Sequence, residues 1–274
     1  MEENLNITNF NEAINLLDSI SKESFITEAW VPSLEKSVKI QEITAKQQKL
    51  LIESAIDSAV AKSTFSKFFY EIVSSNCLEE KSVIESLTTI DKLSIAFSMR
   101  QQISNTLKVV FEENPKVESN VEISSILEKF SKYKHPLPET LNFSKNSVNI
   151  EVDMIIPIFS KEGSFDSYIY GKEKGKEDQI QELKKLVTNA FLGETAKFIK
   201  DIRINSKSLN YNNLHIPQKI QFMEKLPASL VQDILEKAVK WKSEIDQLTL
   251  VEHEILDKKY TKNIEVDSLL FINN

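Results

Sequence analysis

The chain has 274 residues, of which 41% are hydrophobic and 27% charged, enough for one large domain or two small ones sharing an interface. A formal net charge of -7 and a sequence pI of about 5.3 exclude a global positive field that would draw it onto nucleic acid or an anionic membrane. Cys77, the single cysteine, allows no internal disulfide; the acidic start at Glu2 and Glu3, and apolar runs far shorter than about 20 residues, predict neither export nor a membrane span.

In chain order, Ala13, Ile14, Leu16, Leu17 and Ile20 fall close to helical spacing, which predicts a short amphipathic helix packed on the rest of the chain. Ala29-Trp30-Val31 and the alternating Val38-Lys39-Ile40, separated by Pro32-Ser33, predict a small hairpin. Thr44 followed three residues later by Gln47 is a capping box, so a helix starts there. It carries the stripe Leu50, Leu51, Ala55, Ile56, Ala59 and Val60, and Phe65, Phe68, Phe69, Ile72 and Val73 form a second one. A third long helix is predicted from Ile90 to about Val110. Breaks at 112–118 and at 134–139, with Pro115, Pro136 and Pro138, bracket a short helix over Ile123 to Phe130.

Past Glu139 the pattern changes. Val148, Ile150, Val152 and Met154 alternate with polar residues as a strand should, and Phe165, Tyr168, Ile169 and Tyr170 read as its returning partner, with Gly163 at the turn. A long helix is predicted over Ile180 to Ile202, with Gly193 marking a kink or a close contact, and another over Ser229 to Val251, with Pro227 near its start. The tail Leu269 to Ile272 is apolar. The expected fold is mostly α with a small β part (α+β): amphipathic helices packed with one or two short antiparallel hairpins. The organisation expected is an N-terminal hairpin and helical region over 1–140, then a β-hairpin and helical C-terminal region over 141–274.

No motif in the sequence carries chemistry. Cys77 needs a base, and His135, His215 and His253 are distant from it and from one another; Asp257, four residues after His253, leaves that pair without a third ligand. Gly171 and Gly175 with Lys172, Lys174 and Lys176 lack the order of a phosphate-binding loop and read as a solvated turn. Glu177 and Asp178 suit a helix start, where negative charge meets the macrodipole favourably. Lys197, Lys200 and Arg203 interleave with Glu194 and Asp201 and read as a mixed charged surface. Neither catalytic, cofactor-binding nor metal residues are expected. Trp30, Trp241 and Phe271 are the candidate contacts for a protein partner, because aromatic anchors dominate such interfaces; the alternative is that they fill the chain's own core.

Several pieces occur in a characteristic order: Trp30-Val31-Pro32-Ser33, Val38-Lys39-Ile40, Ile43-Thr44-Ala45-Lys46-Gln47-Gln48-Lys49, Asn76-Cys77, and Ile90-Asp91-Lys92 with Arg100. Phe191-Leu192-Gly193-Glu194 with Lys197-Phe198-Ile199, and Gln218-Lys219-Ile220 leading to Leu226-Pro227-Ala228, follow downstream. In these the chain resembles the baseplate hub proteins of T-even-type myophages. It departs from them in the turn after Pro-Ser, where relatives often carry glycine and this chain has Leu34-Glu35-Lys36. The resemblance implies a non-enzymatic virion baseplate hub protein of a contractile phage tail. Its expected partners are other hub or tape-measure proteins or a further copy of itself, with no nucleic acid, membrane or cofactor. It would be made in the host cytoplasm and end in the virion baseplate. Two alternatives stand beside that reading: a non-virion assembly chaperone for the hub or tape measure, and an enzyme of unknown chemistry.

Overall fold

The computed structural model of the chain describes residues 10–54, 61–111, 117–170, 190–255 and 257–271. Helix α1 (Phe10–Ser24) is followed by strands β1 (Ile26–Val31) and β2 (Lys36–Gln41), paired antiparallel with Ala29 opposite Val38. Alternation turns Ala29, Val31, Val38 and Ile40 inward, and all four are fully buried. Helix α2 (Ala45–Glu53) begins at the predicted box: the Gln47 amide donates to Thr44 Oγ1 at 3.2 Å, and the Thr44 amide donates to Gln47 Oε1 at 2.9 Å.

Helices α3 (Ala61–Asn76), α4 (Lys81–Ser86) and α5 (Thr89–Ile103) follow. The last is buried around much of its circumference, with Ile90, Ile95, Phe97 and Met99 fully enclosed, which makes it a central helix. Across from it, α7 (Phe159–Tyr170) lies along α3. Gly163 permits this approach: a Cβ there would sit 3.3 Å from the Lys67 amide nitrogen and 3.4 Å from its Cα. Rings fill the space nearby. Phe69 stacks on Phe65 at 5.6 Å and meets Phe159 at 5.7 Å and Phe271 at 5.8 Å.

Four antiparallel sheets complete the described fold. Besides β1–β2, they are β3 (Thr106–Phe111) with β4 (Val117–Glu122), β9 (Leu250–Ile255) with β10 (Lys258–Asn263), and the ordered set β5 (Glu139–Lys145), β6 (Val148–Met154), β7 (Ile199–Ile204) and β8 (Lys207–Ser208). Helix α6 (Ile123–Lys132) buries Ile123, Ile126 and Phe130 beside α5. Residues 190–196 form helix α8. Helices α9 (Ile216–Met223) and α10 (Ala228–Thr249) close the helical set, α10 turning Leu230, Ile234, Ala238, Trp241 and Ile245 inward at helical spacing. With four antiparallel sheets beside its helices among the described residues, the protein is mixed α/β, not mostly α with one or two hairpins.

The excess of strand over expectation has identifiable physical causes. In β3 the alternating Leu107, Val109 and Phe111 are buried, but Leu107 also continues the α5 spacing, so the predicted helix ran through a boundary that Ser104 sets. In β7 the register shifts between Asp153 and Met154, so that Val152 pairs with Ile202 and Met154 with Ile199. That bulge places Ile199 and Ile202, three residues apart, both in the core, which imitates a helical repeat. The predicted helix over Ile180 to Ile202 is therefore helical at 190–196 and strand from Ile199; its earlier part lies outside the described residues.

The returning aromatic strand predicted over Phe165 to Tyr170 is helix α7, and Gly163 lies inside that helix, not at a turn. The partners of β6 are β5 and β7. Strands β9 and β10 each bury one residue, Val251 and Tyr260, too little for an alternation to show. Gly193 makes the predicted close contact, since a Cβ there would stand 2.7 Å from Ile169 Cδ1. The segment 171–178, with its lysines, glycines and acidic pair, lies outside the described residues, as do 55–60, 112–116 and Ile272.

Candidate functional site

The most distinctive surface feature begins at the start of α1. Phe10, Ile14 and Leu17 occupy i, i+4 and i+7, one face of a helix, and all three are exposed, Phe10 at 78% and Leu17 at 61%. Leu16 is exposed beside them, and Phe25 and Ile26 continue the apolar character at the entry to β1. No other described element packs extensively on α1, contrary to its expected place against the body of the chain. The sequence supplies an amphipathic helix, but the described core closes without its apolar face. Such a face exposed in water marks a contact surface more often than a single exposed leucine does.

Of the three aromatic candidates, two are part of the core. Trp241 is buried against Phe198 at 6.3 Å with the Lys237 ammonium 5.0 Å over its ring. Phe271 is fully enclosed between Phe65 and Phe69, and its carbonyl accepts from Gln48 Nε2 at 2.8 Å, which fixes the C-terminal turn to α2. These two rings therefore meet the chain's own core. Trp30 is half-buried on β1, and its indole Nε1 is enclosed with no hydrogen-bond partner among the described residues. The side chains that do face outward, on α1, were in the sequence pattern but were assigned to packing.

Polar residues far apart in sequence meet in two clusters. The carboxylate of the fully buried Asp91 accepts from the Ser33 amide (2.9 Å), Ser33 Oγ (2.6 Å), the Thr88 amide (2.7 Å) and Thr88 Oγ1 (2.8 Å). It ties the β1–β2 turn to the first turn of α5 and caps that helix. In the second cluster Asn76 Oδ1 accepts from Gln47 Nε2 at 2.7 Å, while Asn76 Nδ2 donates to the carbonyls of Gln41 and Glu42. Arg100, buried, donates to the carbonyls of Ser104 (2.9 Å) and Thr106 (3.3 Å), and desolvation lowers its pKa. Ser33, Gln47, Asn76, Asp91 and Arg100 all belong to the N-terminal pieces that carry the resemblance. Their observed work is to fasten strands and helices together.

Cys77 is buried, bridged by backbone to Ile40, and its thiol pKa is raised by that burial and by the charge of Glu79. His135 is pushed towards the neutral form by burial, with Asp91 opposing, and its Nε2 is enclosed without a hydrogen-bond partner among the described residues. Among the described residues no three His, Cys, Asp or Glu side chains gather where they could hold a metal, and no helix is long and apolar enough to cross a membrane. Lys197 is not on a charged surface: it is buried between Asp166 and Glu194, both at 2.8 Å. Burial works against its charge, but the two carboxylates outweigh it and raise its pKa. Arg203 does lie at the surface end of a network, on Glu151 at 2.7 Å and Asp153 at 2.9 Å.

Comparisons with protein-family models, with curated proteins and with solved structures returned no match.

Proposed function

We propose that the chain is a non-enzymatic baseplate hub protein of a contractile phage tail and acts by protein–protein contact, with α1 as the element that docks on another hub protein or the tape measure. The observation that carries this reading is the unpacked apolar face of α1, Phe10, Ile14 and Leu17. A hydrophobic helical face seated in a partner's groove is a recurrent mode of recognition, and its i, i+4, i+7 anchors are present here. The ordered pieces from Trp30 to Arg100 support the hub assignment by resemblance. The protein is made in the host cytoplasm and carried into the virion baseplate.

Quantitative mass spectrometry of purified virions tests this reading. A fixed copy number, in the small multiples of a threefold or sixfold hub, is the expected result. Presence in infected cells with absence from virions would replace the structural role with that of an assembly chaperone. The double substitution Ile14→Asp with Leu17→Asp is expected to leave the unfolding transition within about 0.5 kcal/mol, since both sites are exposed, and to abolish incorporation. Incorporation at the natural level would remove α1 from the docking role.

A further inference from the structure

A small pocket opens between the loop before α7, α7 itself, the start of β7 and the turn leading to α9. Its volume is about 20 Å³, room for one water-sized atom. Ile155, Pro157 and Phe165 supply apolar wall, Lys219 from α9 is buried in it at 5% exposure, and Lys161 and Asn212 stand exposed at the mouth.

The charges around this pocket do not balance. Glu162 is already engaged, accepting from Lys92 Nζ at 2.5 Å and Thr89 Oγ1 at 2.7 Å. Lys197 is engaged by Asp166 and Glu194. Three lysines and one carboxylate thus line the pocket, Glu162 is held by Lys92 from beyond it, and among the described residues Lys161 and Lys219 have no carboxylate partner. Lys161 Nζ donates to Asn212 Oδ1 at 3.1 Å. Among the described residues Lys219 meets ring faces, Tyr211 at 5.0 Å and Phe165 at 5.5 Å from its nitrogen.

A ring face offsets only part of the cost of burying an ammonium, and less than a carboxylate partner would. Burial and the neighbouring Lys161 charge accordingly push the Lys219 pKa down to about 8. A buried cation, a second cation and a pocket of atomic size together suit one negative atom.

We propose that this pocket binds the carboxylate of a small ligand, one oxygen entering to meet Lys219 and the other held at the mouth by Lys161 and the Asn212 amide. The size of the space selects the ligand. A single carboxylate oxygen fits a site for one water, while a tetrahedral oxyanion would have to leave most of its bulk outside. This site makes no use of α1, and its test does not involve the baseplate.

The purified full-length protein is titrated with sodium formate and, at matched ionic strength, with sodium chloride. Thermal unfolding and NMR of isotope-labelled lysine side chains are the readouts. Formate is expected to raise the unfolding temperature saturably where chloride does not, and to move the Lys219 titration upward from about 8. Lys219→Met is expected to abolish the formate effect. Lys161→Gln, at the exposed mouth, is expected to weaken it about tenfold, the loss of one charge-assisted contact. Equal responses to formate and chloride, or a formate response unchanged in Lys161→Gln, would overturn the proposal; tighter binding of inorganic phosphate than of formate would overturn the choice of carboxylate.

Discussion

Two buried charges in this molecule are treated in opposite ways. Asp91, in the first turn of α5, has four donors on its carboxylate and ties two distant segments together. Lys219, on α9, has two aromatic faces and, among the described residues, no counter-charge. The same α5 turn serves both regions, because Thr89 and Lys92 on either side of Asp91 hold Glu162 and thereby withdraw from the pocket the acid that would have neutralised Lys219. A buried charge with every lone pair answered is a fastening. One that has been left incomplete beside an empty space is the better candidate for a site.

The largest expected effect breaks the fastening. Asp91→Ala leaves the Ser33 and Thr88 amides without their acceptor in a closed environment and is expected to cost about 3–5 kcal/mol, read as a lower urea midpoint. Ser33→Ala removes one donor and leaves the carboxylate with three, so about 1 kcal/mol is expected. Equal losses in the two variants would mean that the Ser33 bond carries the whole cluster. Next in size is Gly163→Val. The α7 backbone, which carries Glu162, would be forced away from Lys67, at a cost of about 2 kcal/mol, and calorimetry would show it as a lower unfolding temperature.

A pH series separates the two charges. Lys219 in the folded protein loses its proton near 8, whereas unfolded lysine holds it to about 10.5, so between those values the unfolded chain binds more protons. Stability therefore rises with pH across that window on account of this group, and the cost of burying the ammonium is fully present below about 8. The groups facing Lys219 are Lys161 and the engaged Glu162 and Lys197. The expected result is that the natural protein gains on Lys219→Met as pH rises from 8 to 10.5 in denaturation experiments at each pH. A difference independent of pH would show that Lys219 keeps its charge in the folded state.

How much of this was legible in the sequence depended on whether a signal was local. The capping box of Thr44 and Gln47, the β1–β2 alternation and the α10 stripe lie within a few residues of one another and were readable. Strand β7 was not, because its bulge gives Ile199 and Ile202 a helical spacing, and β9 was not, because it follows α10 without a break and buries only Val251. The α1 face was visible as a pattern, but whether it is covered depends on what the other helices leave open. The Lys219 pocket had no sequence signature: it joins Lys161, Asn212 and Lys219, which only the packing of α7, β7 and α9 brings together.

The smallest effect concerns the turn that delivers Ser33 to Asp91. Glu35 in that turn has φ of 50°, the left-handed region where a side chain costs about 1 kcal/mol. Glu35→Gly removes that strain but adds freedom to the unfolded chain, so a net gain of about 0.5 kcal/mol is expected from urea denaturation. Strain of this kind persists only while surrounding contacts enforce it, and here those contacts are the Ser33 bonds to Asp91. The gain should consequently shrink in the Asp91→Ala background, where the turn is free to relax, giving a coupling that a double-mutant cycle measures. Ser147→Gly, at φ of 66° in the β5–β6 turn far along the chain from Asp91, should yield its gain equally in both backgrounds. If Glu35→Gly behaves in the same way, the turn holds its shape unaided and Asp91 serves α5 alone.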